Sequence, residues 1–201
     1  MDVKRAMKSL EELQGLDIYL LDQFLKGRIN KKSRILDAGC GMGRNIHFLI
    51  REGYNVTAFD PNPEVIDDLK SIYPQKKDNF KVSSIEELTL EAKFDFVICN
   101  AVLHFAESHE HFNNMFKSLT NLLALGGILF IRMTSDIGLS GFKQDLSDGR
   151  YYLPDDSVRY LLSRNKVDEL LSVHELDLLE PVKSLNVDEL RCMTTLVFVK
   201  Q

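Results

Sequence analysis

The stretch ILDAGCGMGRN, residues 35–45, constrains this chain more than any other. An apolar run reaches an acid, Asp37, and glycines follow at positions 39, 41 and 43. The run reads as a short strand, and the glycines leave the main chain after it bare, so that another molecule can approach it closely. In open α/β sheets ligands bind at the carboxyl ends of strands, so a bare loop at that place marks a site.

The residues that follow keep alternating strand-like and helix-like segments. Residues 9–26 place Leu13, Leu16, Leu20 and Phe24 near one helical face, with Gly27 as a stop, and form a helical lead-in over residues 1–33. RILDAG is the first strand, residues 44–52 the helix after it, and NVTAF a strand ending at Asp60. Asn62 caps the next helix, Pro63 suits its first position, and Pro74 ends it. FKVSS precedes a short helix near Glu86; FDFVICN, apolar on both faces, reads as a central parallel strand. Phe112, Met115, Phe116, Leu119, Leu122 and Leu123 form the longest amphipathic stripe, which Gly126 and Gly127 end before the strand ILFIRMT. Residues 135–154 break the pattern and read as an inserted lid, with a helical segment over residues 155–173 behind it. LDLLEPV and CMTTLVFV are two last strands joined too closely for a crossover, hence antiparallel. The expected fold is therefore α/β: a single domain with a doubly wound, mostly parallel seven-stranded sheet, helices on both faces and an antiparallel last strand.

Composition narrows the function classes. The 201 residues are 44% hydrophobic and 27% charged, as in an ordinary globular domain. The net charge of -5 and the scattered basic residues leave no footprint for nucleic acid. Cys40, Cys99 and Cys192 are odd in number and unpaired in spacing, which argues for reduced thiols in the cytoplasm and against a structural zinc site. No apolar run approaches the roughly 20 residues needed to span a bilayer, and the first residues lack a secretory core, so no membrane partner is expected. Nothing in the sequence reports an oligomeric state.

The dinucleotide fingerprint G-x-G-x-x-G requires a third glycine where Arg44 stands, so the pyrophosphate pattern is broken. Asp60, 21 residues after Gly39, lies where a carboxylate accepts both hydroxyls of a ribose, although an acid before Pro61 also suits a plain turn. Asp37 has two readings of equal weight: accepting backbone N–H groups of the loop, or facing a cationic ligand group.

ILDAGCGMGRN, Asp60 at the end of strand two, KVSSIEEL after strand three, FDFVICNAVLHF at strand four and GGILFIRMT at strand five together resemble the class I S-adenosylmethionine-dependent methyltransferases. The likeness covers about residues 34–134, and the G-x-G-R-N continuation into IHFLIREGYNVTAFD is similar, more loosely, to the tellurite- and thiopurine-type enzymes. The resemblance implies S-adenosylmethionine as cofactor and S-adenosylhomocysteine as product. It places Gly39 and Gly41 against the cofactor backbone, Asp60 with Pro61 at the ribose, Ser84 and Ile85 beside adenine, and Asn100 at the methionine amino group. Arg44 would pair with the methionine carboxylate or point to solvent. Asp37 joins this cofactor set.

Methyl transfer from a sulfonium chiefly needs alignment, for which effective molarities supply roughly 7 to 11 kcal/mol; a general base adds about 10²- to 10⁴-fold. His104, four residues past Asn100, is the candidate base, against a capping or surface role. Arg150 and Tyr151, with Tyr152, lie in the lid segment and suit an anionic or aromatic acceptor, with packing of the tyrosines against the sheet an equal reading. Tyr19 could close the cofactor pocket or pack in the core. His104, His109 and His111 lack the carboxylate or cysteine that would complete a metal-ligand spacing, so no metal is expected. The (N/D)-P-P-(Y/F) turn of amide- and adenine-modifying relatives is absent, since Ala101, Val102 and Leu103 follow Asn100. A small molecule is thus the leading acceptor. A protein side chain, a non-catalytic adenosyl-binding module and a nicotinamide oxidoreductase are the competing readings.

Overall fold

In a computed structural model of the chain, residue 13 and residues 15–141 and 143–201 are described. They divide into two compact units with the boundary between residues 84 and 85.

The first unit is strand, helix, strand, helix, strand. Strand β1, Arg34–Ala38, pairs in parallel with β2, Asn55–Asp60, and β2 in parallel with β3, Phe80–Val82. Helix α1, Ile18–Leu25, leads in. The expected helix over residues 9–26 is shorter here: Gly15 at φ +90 and Asp17 in extended backbone hold the chain out of the helix until Ile18, while residues 9–12 and 14 lie outside the described residues. Asp17 then caps it, accepting the Tyr19 N–H at 2.9 Å. Between β1 and β2 lies α2, His47–Arg51, three residues later than the expected start at residue 44, residues 44–46 forming a turn whose Ile46 N–H donates to the Gly43 carbonyl at 2.9 Å. Helix α3, Pro63–Ile72, begins as expected with Asn62 accepting the Glu64 N–H at 3.0 Å and Pro63 at the first position. Ile35, Leu36, Leu49, Val56, Ile66 and Leu69 are buried to 1% exposure or less. Each such side chain contributes roughly 1.5 to 3 kcal/mol by leaving water.

In the second unit β4, Phe94–Asn100, runs parallel to β5, Leu123–Ser135, and α4, His109–Leu122, is the crossover between them. Ser108 caps α4 by accepting the His111 N–H at 2.9 Å. Phe112, Phe116 and Leu119 of the expected stripe are all buried. The glycine pair does not end this helix. Helix α4 stops at Leu122 and Gly126 and Gly127 lie inside β5, where a Cβ on Gly127 would stand 2.8 Å from the Ala124 carbonyl and 2.9 Å from that of Phe94. The helix expected near Glu86 is a turn over residues 85–87.

Residues 144–160 form a small antiparallel sheet of β6, Gln144–Asp145, β7, Arg150–Tyr152, and β8, Val158–Tyr160. The helical segment expected from residue 155 starts only at α5, Arg164–Val173, because Val158–Tyr160 pairs with β7 instead. The expected strand LDLLEPV shortens to β9, Leu176–Leu178, and a further strand, β10, Lys183–Val187, follows it. Both pair antiparallel with β11, Arg191–Lys200, and β11 lies antiparallel to β5. The mostly parallel sheet with an antiparallel last strand is thus present in the described strands.

Candidate active site

Parallel pairing of β1 with β2 aligns Ala38 with Phe59, so the loop leaving β1 runs beside the end of β2. The Phe59 carbonyl accepts the Gly39 N–H at 2.9 Å and the Cys40 N–H at 3.0 Å. Asp60 accepts the Gly41 N–H at 2.9 Å through Oδ2 and the Asn62 N–H at 3.0 Å through Oδ1. The carboxylate that braces the loop is therefore Asp60 and not Asp37. Each Asp60 oxygen keeps a lone pair for a further donor, and the residue is only half-buried.

The glycines divide by what surrounds them. All three take positive φ, +73, +49 and +80 at Gly39, Gly41 and Gly43. A Cβ on Gly41 would meet nothing within 4 Å, whereas one on Gly43 would come within 2.7 Å of Leu69 Cδ2 and 3.1 Å of His47 Cε1. Bare backbone at Gly41 borders open space. At Gly43 it borders the protein's own helices.

Asp37 is 1% exposed, and its Oδ2 has no hydrogen-bond partner among the described residues. Burial raises its pKa to about 7; the Arg44 guanidinium draws it down by less, and Asp60 pushes it up. Of its two readings, bracing the loop fails, and an acid open to a cationic or donor group remains. Arg44 and Pro61 are exposed, and Ser84 is half-buried. Tyr19 is half-buried on α1.

In the second unit Ile85 is 3% exposed. Asn100 ends β4 with 7% exposure, and both Oδ1 and Nδ2 are buried without a partner. The next residue, Ala101, takes φ +63 while its N–H donates to the Arg132 carbonyl at 2.7 Å. A left-handed non-glycine residue costs roughly 1 to 2 kcal/mol, and here it turns the chain off the sheet into the short 3₁₀ turn Leu103–Phe105 that carries His104. His104 is 7% exposed, with Nδ1 buried and unpartnered. Burial, then the Arg159 and Arg191 cations, lower its pKa to about 4 against a smaller opposing pull from Asp155, so the ring is neutral and can accept a proton.

Arg150 and Tyr151 are half-buried neighbours on β7. Successive strand residues point to opposite faces, so the two do not act as a pair. Tyr151 is opposite Arg159 and Asp145 in register, and Arg150 is opposite the buried Tyr160. Lys143 Nζ stands 4.8 Å from the Tyr151 ring. The other two histidines are engaged elsewhere: His109 Nδ1 meets the Tyr160 hydroxyl at 2.8 Å, and His111 meets Glu86. A cavity of about 400 Å³ opens at the carboxyl end of β5, lined by Asp136, Ile137, Gly138, Ser163, Arg164 and Asn165.

Two residues beside His104 were missed in the sequence. Phe105 packs edge-on to it at 4.6 Å, and Arg159 Cζ lies 4.9 Å over the Phe105 ring. The signal for Arg159 was the alternation Val158, Arg159, Tyr160, which a helical reading of residues 155–173 concealed.

Residues 36–131 match the family described as a methyltransferase domain. A ubiquinone biosynthesis O-methyltransferase of Rickettsia typhi is 39% identical over 95 residues, 46% of this chain and 36% of that protein. A probable S-adenosyl-L-methionine-dependent methyltransferase, TehB, of Haemophilus influenzae is 28% identical over 115 residues, 54% of this chain and 39% of that protein. The chain thus spans well under half the length of these curated relatives. Among solved structures, a methyltransferase from Methanosarcina mazei superposes with a TM-score of 0.70 at 20% identity, covering 88% of this chain and 96% of the other. The 1,6-didemethyltoxoflavin-N1-methyltransferase of Burkholderia thailandensis gives 0.67 at 18% identity, covering 98% and 83%. At these identities the superpositions establish the fold.

Proposed function

We propose, from the premise that residues 36–131 form a methyltransferase domain of the class I S-adenosylmethionine-dependent family, that this chain transfers the S-adenosylmethionine methyl group to a small-molecule acceptor. The observation that carries the reading is the loop at Gly41: its Cβ position is open, and its N–H is tied to a half-buried carboxylate with lone pairs to spare. That arrangement suits a ribose laid against bare main chain.

When bound, the cofactor supplies a methyl group already activated by a sulfonium. In the first unit Asp60 would hold the ribose hydroxyls beside Pro61, Gly39 and Gly41 would admit the cofactor to the backbone, and Asp37 and Arg44 would meet its charged groups. Ser84 is read as an adenine contact there. In the second unit, Ile85 is read as an adenine contact and Asn100 as a hydrogen-bonding group, while His104 would accept the acceptor's proton at its unpartnered Nδ1. Arg150 and Tyr151 remain candidates for gripping the acceptor from the small sheet, the segment read in sequence as a lid.

Calorimetry tests the assignment. S-adenosylhomocysteine should bind and NAD should not; the reverse order would make this an oxidoreductase. The glycines add a sharper measurement. Gly43→Ala should lose roughly 1 to 3 kcal/mol of stability to overpacking and positive φ. Gly41→Ala should lose only the roughly 1 to 2 kcal/mol that positive φ costs an alanine, with no overpacking added, yet bind S-adenosylhomocysteine less well. Equal cofactor affinity in Gly41→Ala and the parent would show that the open space is not the cofactor's.

His104→Ala should reduce turnover by about 10²-fold or more while sparing cofactor affinity. Because the neutral ring is the active form and its pKa is near 4, the His104-dependent rate should stay level above about pH 5 and fall as pH drops through 4. Undiminished turnover in His104→Ala would remove it as the base.

A further inference from the structure

Arg159 is a cation without a counter-ion. It is half-buried on β8, donates from Nη1 to the Val158 carbonyl at 2.8 Å, and forms no ion pair among the described residues. Arg191, the other cation that acts on His104, is already paired with Asp155 at 2.8 Å. The Arg159 guanidinium lies 4.9 Å over the ring of Phe105, a residue 58% exposed, and the same ring packs edge-on against His104 at 4.6 Å. His104 and Asn100, in the same unit, are more than nine-tenths buried, and His104 Nδ1 and both polar atoms of the Asn100 side chain are unpartnered. Burying polar groups without partners costs free energy that a native protein recovers only when something fills the place.

We infer that Arg159 selects the acceptor: its guanidinium receives an oxyanion, carboxylate or phosphate, on a small molecule whose flat part lies against Phe105 next to His104. The inference rests on the methyl-transfer reading and names the substrate class within it. A guanidinium offers a planar fork of donors that matches an oxyanion two bonds at a time, and a stacked guanidinium is held ready in that geometry. An amide or alcohol in the same place would leave the charge uncompensated. The oxyanion also serves the chemistry. Of the charged groups near His104, Arg159 and Arg191 oppose its protonation and Asp155 favours it, so neutralising Arg159 makes the ring a better base when an acceptor of this class is present.

The test follows the His104 ring by NMR in the full chain, with its signal assigned through H104Q, during titration with benzoate, benzamide and inorganic phosphate. Benzoate or phosphate should move the His104 resonance, and benzamide should not. In R159Q the apparent affinity of the responding anion should fall at least about tenfold, with R159K in between. A response to benzoate assigns a carboxylate acceptor, and one to phosphate alone a phosphorylated acceptor. Equal responses to benzoate and benzamide, no response to either anion, or R159Q matching the parent would overturn the proposal. S-adenosylhomocysteine calorimetry on the same samples separates the two readings. Retained binding in R159Q shows an intact fold, whereas no binding by the parent protein overturns the methyltransferase assignment whatever the anions do.

Discussion

The Asp37→Asn variant is expected to resist urea better than the parent chain above pH 7 and to match it near pH 4. Asp37 is 1% exposed and burial raises its pKa from 3.8 to about 7. Between those two values the folded chain holds a proton that the unfolded chain has released, so stability declines as pH rises through the window and the full cost is present above pH 7. Asparagine keeps the shape and has no charge to bury. Since a tenfold change in proton affinity is worth about 1.4 kcal/mol, the variant should gain on the order of a few kcal/mol at pH 8. Urea midpoints at pH 4, 6 and 8 measure it. A difference that does not change with pH would show that Asp37 is not protonated within the folded state. The parent chain should also recover more of the deficit than the variant when S-adenosylhomocysteine is added, if Asp37 meets a cationic group of the ligand.

Asp60→Ala should weaken S-adenosylhomocysteine binding by roughly 1.5 to 3 kcal/mol, about 10- to 150-fold, the range for hydrogen bonds to a charged group. The structure adds a reason to the one visible in sequence, since the same carboxylate holds the Gly41 N–H at 2.9 Å and the Asn62 N–H at 3.0 Å. Alanine removes the brace that shapes the loop and, with it, the proposed ribose contact. Asp60→Asn separates them: one amide oxygen can still accept a backbone N–H, while the amide nitrogen cannot. It should keep more of the parent's stability than Asp60→Ala and still lose affinity. Calorimetric affinity unchanged in Asp60→Ala would mean that the ribose lies elsewhere.

Much of this molecule could be read from local pattern. The strand before the glycines, the Asn62 cap with Pro63, the amphipathic stripe through Phe112 and Leu119, and the antiparallel last strand all express short-range rules, 3.6-residue and 2-residue periodicity and the fixed φ of proline. The misreadings share a cause as well. Gly126 and Gly127 look like a helix stop, but the helix ends earlier and they lie in an irregularity of β5, between its Leu123 and Ile128 pairs with β4. Val158–Tyr160 looks helical until its pairing with β7 is seen.

The sequence alone determined the fold class and the position of the loop, because glycine spacing and strand ends are local facts. Tertiary structure decided which glycine borders open space and which borders Leu69, and that Asp60 and not Asp37 braces the loop. It also decided that Arg159 stands over Phe105 beside a neutral His104. Those outcomes depend on burial and on contacts between residues far apart in the chain. Desolvation and charge act through space, and no spacing along the sequence records them.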